Sequence, residues 1–147
     1  QQNETLNVVK TVKLALDIFN ENYIHFIAEE EEIIAKLDRT QLVRVVTNLV
    51  KNAIQAVPEV DAPRILVSVS SDGKFVKISV ADNGVGIADG VREKVFEPKF
   101  TTKSSGMGLG LGMVKNIVET YKGSITFTSQ KGKGTVFTVR FPRILTK

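Results

Sequence analysis

An alternating run of glycines precedes an amphipathic segment in the C-terminal third of the chain. The run reads GMGLGLG and contains Gly106, Gly108, Gly110 and Gly112. Each glycine costs roughly 1 kcal/mol relative to alanine within a helix, so four at a helix start need a physical reason. Backbone amides at a helix start are unpaired and lie at the positive end of the helix dipole, where phosphate binds readily. The run therefore predicts an anion site, and a flexible loop that needs glycine only for its turns is the alternative.

The common glycine motifs do not match this chain. No string has the glycine, four residues and Gly-Lys-Ser/Thr of a P-loop. The dinucleotide pattern requires a third glycine where Leu111 or Met113 stands. The segment DNGVGIADG fails as a calcium loop because Gly84 and Ile87 occupy two of its critical positions. The glycine run thus indicates an anion without indicating which one.

Length and charge narrow the possibilities further. The chain has 147 residues, which predicts a single domain over residues 1–147, and it contains no cysteine. It begins QQNETLNVVK, without methionine, so we interpret it as a fragment of a longer protein. Residues 1–89 carry 9 Lys+Arg against 13 Asp+Glu, whereas residues 90–147 carry 11 against 3. The half with the glycine run would therefore attract an anion, but its scattered basic residues argue against a nucleic-acid surface.

Hydrophobic periodicity predicts a mixture of helices and strands. Helical spacing marks residues 6–20, residues 40–57 and the segment after the glycine run, where an inward face is predicted for Leu111, Val114, Ile117, Val118 and Tyr121. The segment GVREKVF could form a short helix. Three hairpins are predicted: YIHFIA with EIIAKL around an acidic turn at residues 29–32, a pair around Asp72-Gly73, and a pair around residues 131–134. The pattern predicts an α/β (α+β) two-layer sandwich, with a mixed, largely antiparallel sheet covered on one face by helices.

Two asparagines share one ridge of the helix predicted over residues 40–57. Asn48 and Asn52 are four residues apart, with Gln55 beside them. Asparagine is an indifferent helix former, so two beside an apolar stripe are costly unless their amides are used. A side-chain carbonyl oxygen suits Mg²⁺ that keeps most of its waters and bridges phosphates. Ordinary polarity of a helix surface is the alternative.

One carboxylate stands where a predicted strand runs into a glycine-rich turn. Asp82 follows FVKISVA and precedes Asn83-Gly84-Val85-Gly86. An ionised carboxylate only accepts hydrogen bonds, so it would favour the exocyclic amine of adenine and repel the carbonyl of guanine. A turn closed by the aspartate side chain is an equally good interpretation of this residue in isolation.

Taken together, these segments resemble the ATP-binding catalytic domain of sensor histidine kinases, in the superfamily that includes topoisomerase, chaperone and mismatch-repair ATPases. The resemblance covers about residues 40–141 and rests on five motifs in order. NLVKNA resembles the N box, DNGVGI the first glycine box and FEPKFTTK the phenylalanine box; GMGLGLG and GKGT resemble the second and third glycine boxes. The fold implied is the Bergerat ATP-binding fold, and the cofactors implied are ATP and Mg²⁺.

The resemblance also implies roles for individual residues. Asn52 would ligate Mg²⁺, Asn48 would support the ion or the phosphates, and Asp82 would bind the adenine amine, with Thr135 acting through water. Phe96 and Phe100 would anchor a mobile lid. The catalytic residues would be Asn52, Asn48 and Lys103. The full nucleotide-binding set implied is Asn48, Asn52, Asp82, Gly84, Gly86, Ile87, Thr101, Thr102, Lys103, Gly106, Gly108, Leu109, Gly110, Leu111 and Thr135.

Three differences from the family pattern bear on the reaction that we expect. Related ATPases carry a glutamate base where this chain has Asn48, an amide that cannot take a proton from water, so we expect negligible ATP hydrolysis. The lysine or arginine common three residues after the magnesium asparagine is Gln55 here, so phosphate contacts are assigned to Lys99 or Lys103. The only histidine, His25, lies in a predicted strand and is not expected to be the phosphoacceptor.

The partners follow from the resemblance. The phosphoacceptor would be a histidine on the dimerisation helices of the same protein, a homodimer, with relay to the receiver domain of a response regulator. The domain would be cytoplasmic, and anchoring of the parent in the inner membrane stays open. Alternatives are a protein-serine kinase of the anti-sigma-factor type and a conformational ATPase module. No nucleic-acid partner is expected.

Overall fold

The computed structural model describes residues 3–58, 60–97 and 109–144, with the backbone alone at Leu109 and Gly110. Three α-helices lie within this part of the chain: α1 (Val8–Ala15), α2 (Arg39–Ala56) and α3 (Leu109–Thr120). Short 3-10 helices cover Leu16–Ile18 and Asp89–Lys94. The strands are β1 (Glu4–Asn7), β2 (Ile24–Ala28), β3 (Ile34–Leu37), β4 (Ile65–Asp72), β5 (Phe75–Asp82), β6 (Ser124–Gln130) and β7 (Gly134–Pro142).

Five of the strands form one mixed sheet in the order β2-β4-β5-β7-β6. Strand β2 runs parallel to β4, and the other neighbours in this sheet are antiparallel. Strands β1 and β3 form a separate two-stranded antiparallel ribbon. The predicted mixed, largely antiparallel sheet is therefore confirmed.

The helices cover one face of the five-stranded sheet. Along β5 the side chains of Val76, Ile78 and Val80 are buried, whereas the alternate residues are partly exposed. Strands β4 and β7 alternate in the same way, and their buried residues join one core with buried residues of all three α-helices. Alternation of this kind is expected where one face of an antiparallel sheet packs on the core and the other meets water. The predicted two-layer arrangement is confirmed.

Two of the predicted hairpins form, and helix α2 lies where the spacing placed it. Strands β4 and β5 pair with Asp72 opposite Phe75, and Gly73 has a φ of +64°, which glycine adopts without steric cost. Strands β6 and β7 pair in the same manner, with Gln130 opposite Gly134. Helix α2 starts after Asp38, whose carboxylate accepts a hydrogen bond from the Gln41 amide at 3.2 Å.

The helix predicted over residues 6–20 is wrong at both ends. Leu6 lies in β1 opposite Ala35, and the α-helix occupies only Val8–Ala15 before a 3-10 turn. Asn7 sets this boundary, because its side-chain oxygen accepts hydrogen bonds from the amides of Val9 at 3.1 Å and Ile33 at 3.3 Å. Leu6 is buried in β1 but also fits the helical spacing of the apolar residues that follow it. Hydrophobic periodicity therefore did not separate β1 from α1.

The predicted hairpin around residues 29–32 is also wrong, although both of its strands exist. Strand β2 pairs in parallel with β4, and β3 pairs with β1. The four glutamates Glu29–Glu32 are exposed and connect strands of different sheets.

None of the helices in the described part of the chain has the length and apolar character of a membrane-spanning segment.

Candidate functional site

Three polar side chains lie in a row at one end of the helix-covered face of the sheet. Asp82 is opposite Thr135, and Thr135 is opposite Ser129 on the next strand. On its other side Asp82 is opposite Ile65, whose side chain is fully buried beneath the helices. Thr135 is 5% exposed and is one of the two buried polar residues of the described chain. These three polar side chains therefore border the hydrophobic core at this end of the sheet.

The carboxylate of Asp82 is held in a partly buried setting. Its Oδ1 accepts a hydrogen bond from the amide of Gly84 at 2.8 Å. Burial raises the pKa of Asp82 above its ordinary value, and hydrogen bonds from the backbone amides of Gly84 and Thr135 oppose that shift. The turn closed by the aspartate side chain is thus present. It occupies only part of the acceptor capacity of the carboxylate, which can serve an external donor as well.

The loop after Asp82 is fixed to the rest of the fold through its backbone. The Val85 amide donates to the carbonyl of Ala56, at the end of α2, at 3.0 Å. The Val85 carbonyl accepts from the Gly132 amide, in the turn between β6 and β7, at 2.7 Å. The Ile87 amide donates to the Ser129 hydroxyl at 2.8 Å. Residues 83–87 therefore join helix α2 to the β6–β7 turn.

These close approaches explain three glycines. A Cβ at Gly84 would overlap the carbonyl oxygen of Ala56, and one at Gly86 would overlap the carbonyl oxygen of Gln130. A Cβ at Gly134 would overlap the carbonyl oxygen of Asp82. Gly86 and Gly134 also have φ values of +76° and +132°. Contact of backbone with backbone within the protein thus requires glycine at these positions, independently of any ligand.

Asn48 and Asn52 flank the buried stripe of α2 as the sequence predicted. Both are partly buried, next to the fully buried Leu49 and the nearly buried Ala53. The Asn48 amide nitrogen donates to the Arg44 carbonyl at 2.7 Å, one turn earlier, which leaves its side-chain oxygen as an acceptor. Among the residues that the structure describes, the Asn52 side chain makes no hydrogen bond. Its amide is therefore available to a ligand.

Helices α2 and α3 and strand β5 surround this end of the molecule. Helix α2 packs against both α3 and β5. Asn52 lies one turn before Ala56, whose carbonyl binds the loop that starts at Asp82. Helix α3 starts at Leu109, within the glycine run, and Leu111 in its first turn is 4% exposed. The structure thus brings the asparagine helix, the aspartate loop and the predicted anion-binding helix start together around one end of the sheet.

Several predicted site residues lie outside the described residues. These are Thr101, Thr102, Lys103, Gly106 and Gly108, together with Lys99 and Phe100. Phe96 is described, and its ring packs edge-on against Phe127 at 5.8 Å and Phe137 at 6.3 Å between centroids. His25 lies on the exposed side of β2, in a strand as predicted.

Two residues of this region were not predicted from the sequence to belong to the site. Ser129 contacts both Ile87 and Thr135 through its hydroxyl. Arg92 donates from Nη1 to the Ser129 carbonyl at 2.9 Å, and its guanidinium lies 5.2 Å from the centre of the Phe127 ring. The alternation Ile125, Phe127, Ser129 in SITFTSQ was the signal that Ser129 faces the helices, but only the strand register reveals its partners.

The donor set of the site consists of oxygens. Asp82 offers a carboxylate, Thr135 a hydroxyl, and Asn48 and Asn52 amide carbonyls. Oxygen ligands of this kind suit Mg²⁺, which keeps several waters and is held by one or two protein groups together with phosphates. The Asn52 amide, which bonds to no side chain or backbone group of the described residues, fits such an ion.

Comparison with known proteins shows which family and which solved structures the chain is similar to. The sequence profile of the histidine kinase-, DNA gyrase B- and HSP90-like ATPases matches residues 37–144. Sensor histidine kinase ZraS of Escherichia coli (strain K12) is 46% identical over 110 residues, which cover 75% of this chain and 23% of ZraS. The catalytic domain of histidine kinase ThkA in a nucleotide-free form superposes with a TM-score of 0.86 at 29% identity, covering 97% of each chain. A structure of ThkA in complex with the response regulator protein TrrA superposes with a TM-score of 0.81 at 28% identity, covering 97% of this chain and 42% of that one.

The chain spans only part of the curated relatives that it matches. It covers between 23% and 32% of the length of the first three. The similarity therefore concerns one domain of longer proteins.

Proposed function

The chain belongs to the histidine kinase-, DNA gyrase B- and HSP90-like ATPase family, as a catalytic domain of the sensor histidine kinase type, and we propose that it binds Mg-ATP and donates the γ-phosphoryl group to a protein histidine. The phosphoacceptor would lie on the dimerisation helices of the parent protein, which we take to be a homodimer. A response regulator would then receive the phosphoryl group, since the similar ThkA is known in complex with one. The domain would act in the cytoplasm.

The single observation that carries this proposal is the arrangement of Asp82. Its carboxylate is partly buried on the helix side of the sheet and is held by the amides of Gly84 and Thr135. A carboxylate fixed there would accept a hydrogen bond from the exocyclic amine of adenine and disfavour the guanine carbonyl. Thr135, opposite Asp82, would bind the same base through water.

The phosphates would extend from this base pocket towards α2 and α3. Asn52 would hold Mg²⁺ through its amide oxygen, with Asn48 one turn earlier supporting the ion or the phosphates. When bound, the ion would neutralise charge that develops on the phosphates during transfer. The backbone amides at the start of α3, at Leu109, Gly110 and Leu111, would bind phosphate at the positive end of the helix dipole. Gly84, Gly86 and Ile87 would shape the wall of the base pocket.

Titration calorimetry with ATP, in the presence and absence of Mg²⁺, tests the proposal. We expect the wild-type chain to bind ATP more tightly with Mg²⁺ than without it. Asn52→Ala should remove most of this magnesium-dependent gain, because the variant lacks the amide oxygen that would ligate the ion. Asn116→Ala, an exposed asparagine on α3, is the matched control and should bind as the wild type does. A wild-type chain that folds and releases no heat with Mg-ATP contradicts the proposal.

The reaction itself is tested with the parent protein and radiolabelled ATP. A phosphohistidine is labile in acid, whereas a phosphoserine survives acid, so the stability of the labelled product separates the histidine kinase from a protein-serine kinase. Rapid ATP turnover by the chain alone would instead favour a conformational ATPase, against the expectation from Asn48.

A further inference from the structure

Helix α2 passes each part of the proposed nucleotide site in turn. At its C-terminal end the Ala56 carbonyl accepts a hydrogen bond from the Val85 amide, in the loop that forms the base pocket with Asp82. Asn52, the proposed magnesium ligand, lies one turn before Ala56, and Asn48 lies one turn before Asn52. A nucleotide bound in this way extends along α2 from its C-terminal end towards its N-terminal end. The γ-phosphate, which is the group of ATP farthest from the base, would lie farthest along the helix.

The direction of α3 agrees with this orientation. Tyr121, just after α3, forms a hydrogen bond with the backbone of Asp38, just before α2, so the two packed helices run in opposite directions. The start of α3 at Leu109 therefore lies beside the turns of α2 that carry Asn48 and Asn52. Phosphates bound by the amides at that helix start would be level with the two asparagines, and the γ-phosphate would be nearest to Asn48.

Arg44 is the next residue of α2 along the same ridge. It precedes Asn48 by four residues, which is a step of about 6 Å along the helix axis and about 40° around it. The Asn48 side chain donates to the backbone carbonyl of Arg44 at 2.7 Å, and the Arg44 side chain is exposed. In the described part of the chain, no carboxylate lies within ion-pair distance of its guanidinium. The cation is therefore available to an anion that lies beyond Asn48.

The two other cations of α2 are placed differently. Arg39 is bonded to Glu4 at 3.0 Å. Lys51 lies one residue before Asn52, level with phosphates that ADP possesses as well as ATP. Arg44 lies about two turns farther from the base pocket than Lys51, where only the terminal phosphate of ATP would come near.

We propose that Arg44 binds the γ-phosphate of Mg-ATP and thereby distinguishes ATP from ADP. The inference rests on the proposed function and deepens it. An arginine is always charged at neutral pH and presents a planar fork of N–H donors that matches two phosphate oxygens. The γ-phosphate carries charge that ADP lacks, so an arginine at this distance from the base favours ATP alone. The product ADP would have no bond to Arg44 and would leave without breaking one.

Calorimetric titration of the chain with Mg-ATP and, separately, with Mg-ADP tests this role. We expect Arg44→Gln, which keeps a polar side chain but removes its charge, to weaken Mg-ATP binding about three- to tenfold, the loss of a charge-assisted hydrogen bond at an exposed site. Mg-ADP should bind as tightly to the variant as to the wild type. Arg44→Lys, which keeps the charge, should recover most of the lost affinity for Mg-ATP.

Two lysine variants serve as controls. Lys74→Ala removes an exposed charge in the β4–β5 turn, at the opposite end of β5 from Asp82, and should change neither affinity. Lys51→Ala should leave the ratio of the two affinities unchanged, and a change in this ratio would assign the γ-phosphate to Lys51 and overturn the inference. An unchanged ratio in Arg44→Gln overturns it as well, whereas a wild-type chain that folds but binds neither nucleotide rejects the proposed function itself.

Discussion

Two opposing effects act on the pKa of the Asp82 side chain. Its partial burial favours the neutral acid, while the amides of Gly84 and Thr135 favour the carboxylate, and burial is the larger of these effects on its pKa. An acidic group whose pKa is raised by folding stabilises the folded state when protonated, and this contribution is lost as the pH rises through the folded-state pKa. Ionisation of Asp82 therefore costs stability, and the proposed function gives a reason to retain it.

Asp82→Asn should separate stability from binding. Asparagine keeps an oxygen for the Gly84 amide but carries no charge at any pH, so we expect the variant to be at least as stable as the wild type at neutral pH. The difference in melting temperature should be full above the raised pKa and should vanish below the ordinary aspartate value. ATP binding should be lost at neutral pH. Melting curves from acid to neutral pH, with calorimetry at neutral pH, test both; a variant that binds ATP normally contradicts the role of Asp82.

Gly84→Ala, which adds one methyl group, should destabilise the folded state. The added Cβ would overlap the Ala56 carbonyl, so the loop would have to leave α2 and lose the bond from Val85. We expect a loss of at least about 2 kcal/mol in the free energy of unfolding, measured in urea. Gly90→Ala, where nothing lies within 4 Å of the added Cβ, should cost little. Equal stability of the two variants would contradict the contact between Gly84 and Ala56.

At the scale of elements, the start of α1 is set by Asn7 and not by hydrophobic spacing. The Asn7 side chain caps the helix at Val9 and binds Ile33, while its amide nitrogen donates to the Glu31 carbonyl at 3.1 Å. One asparagine thus joins the end of β1, the start of α1 and the segment before β3.

Asn7→Ala should destabilise the domain by about 1–2 kcal/mol, the cost of a lost helix cap together with the unpaired Ile33 amide. Chemical denaturation measures this cost. Asn22→Ala, at an exposed turn residue, serves as the control and should change stability little. ATP affinity should stay unchanged in both variants, because Asn7 lies at the end of β1, where it caps α1, and not at the end of β5. A variant as stable as the control would show that Asn7 does not set the start of α1.

Local elements could be predicted from the sequence, whereas distant pairings could not. The hairpins at Asp72-Gly73 and residues 131–134 depend on short turns whose chemistry is visible in the chain. The parallel pairing of β2 with β4 joins residues about forty positions apart with α2 between them, and no local pattern encodes it. Nearness in sequence therefore suggested a false partner for β2 in β3.

The same distinction holds for the site. The positions of Asn52 and Asp82 followed from motifs, and the structure places both at one end of the sheet, although their roles stay predictions. Ser129 depends on the register between β6 and β7, which fixes its distance to Thr135 and which residue types alone do not reveal.

At the scale of the whole molecule, α2, α3 and the sheet meet around the proposed nucleotide. The core runs continuously from α1 to β7, so the site lies at the edge of one cooperative unit. A ligand that binds only the folded state should therefore stabilise the entire domain and not one loop.

Saturating Mg-ATP should raise the melting temperature of the wild type. At a free concentration of one hundred times Kd, the expected gain is about 2.7 kcal/mol in the free energy of unfolding. Differential scanning fluorimetry with increasing Mg-ATP measures the shift, and Mg-GTP is the control, expected to give a much smaller one. Identical shifts with both nucleotides would contradict base selection by Asp82.

The main-chain bonds that fix residues 83–87 have a consequence for variation among related sequences. Since the Ala56 carbonyl, the Val85 amide and carbonyl and the Gly132 amide hold this corner together, any residue except proline can form the same bonds at position 85. The side chains of Val85 and Lys131 are exposed. Replacement of these two side chains should therefore leave the backbone contacts of the corner unchanged.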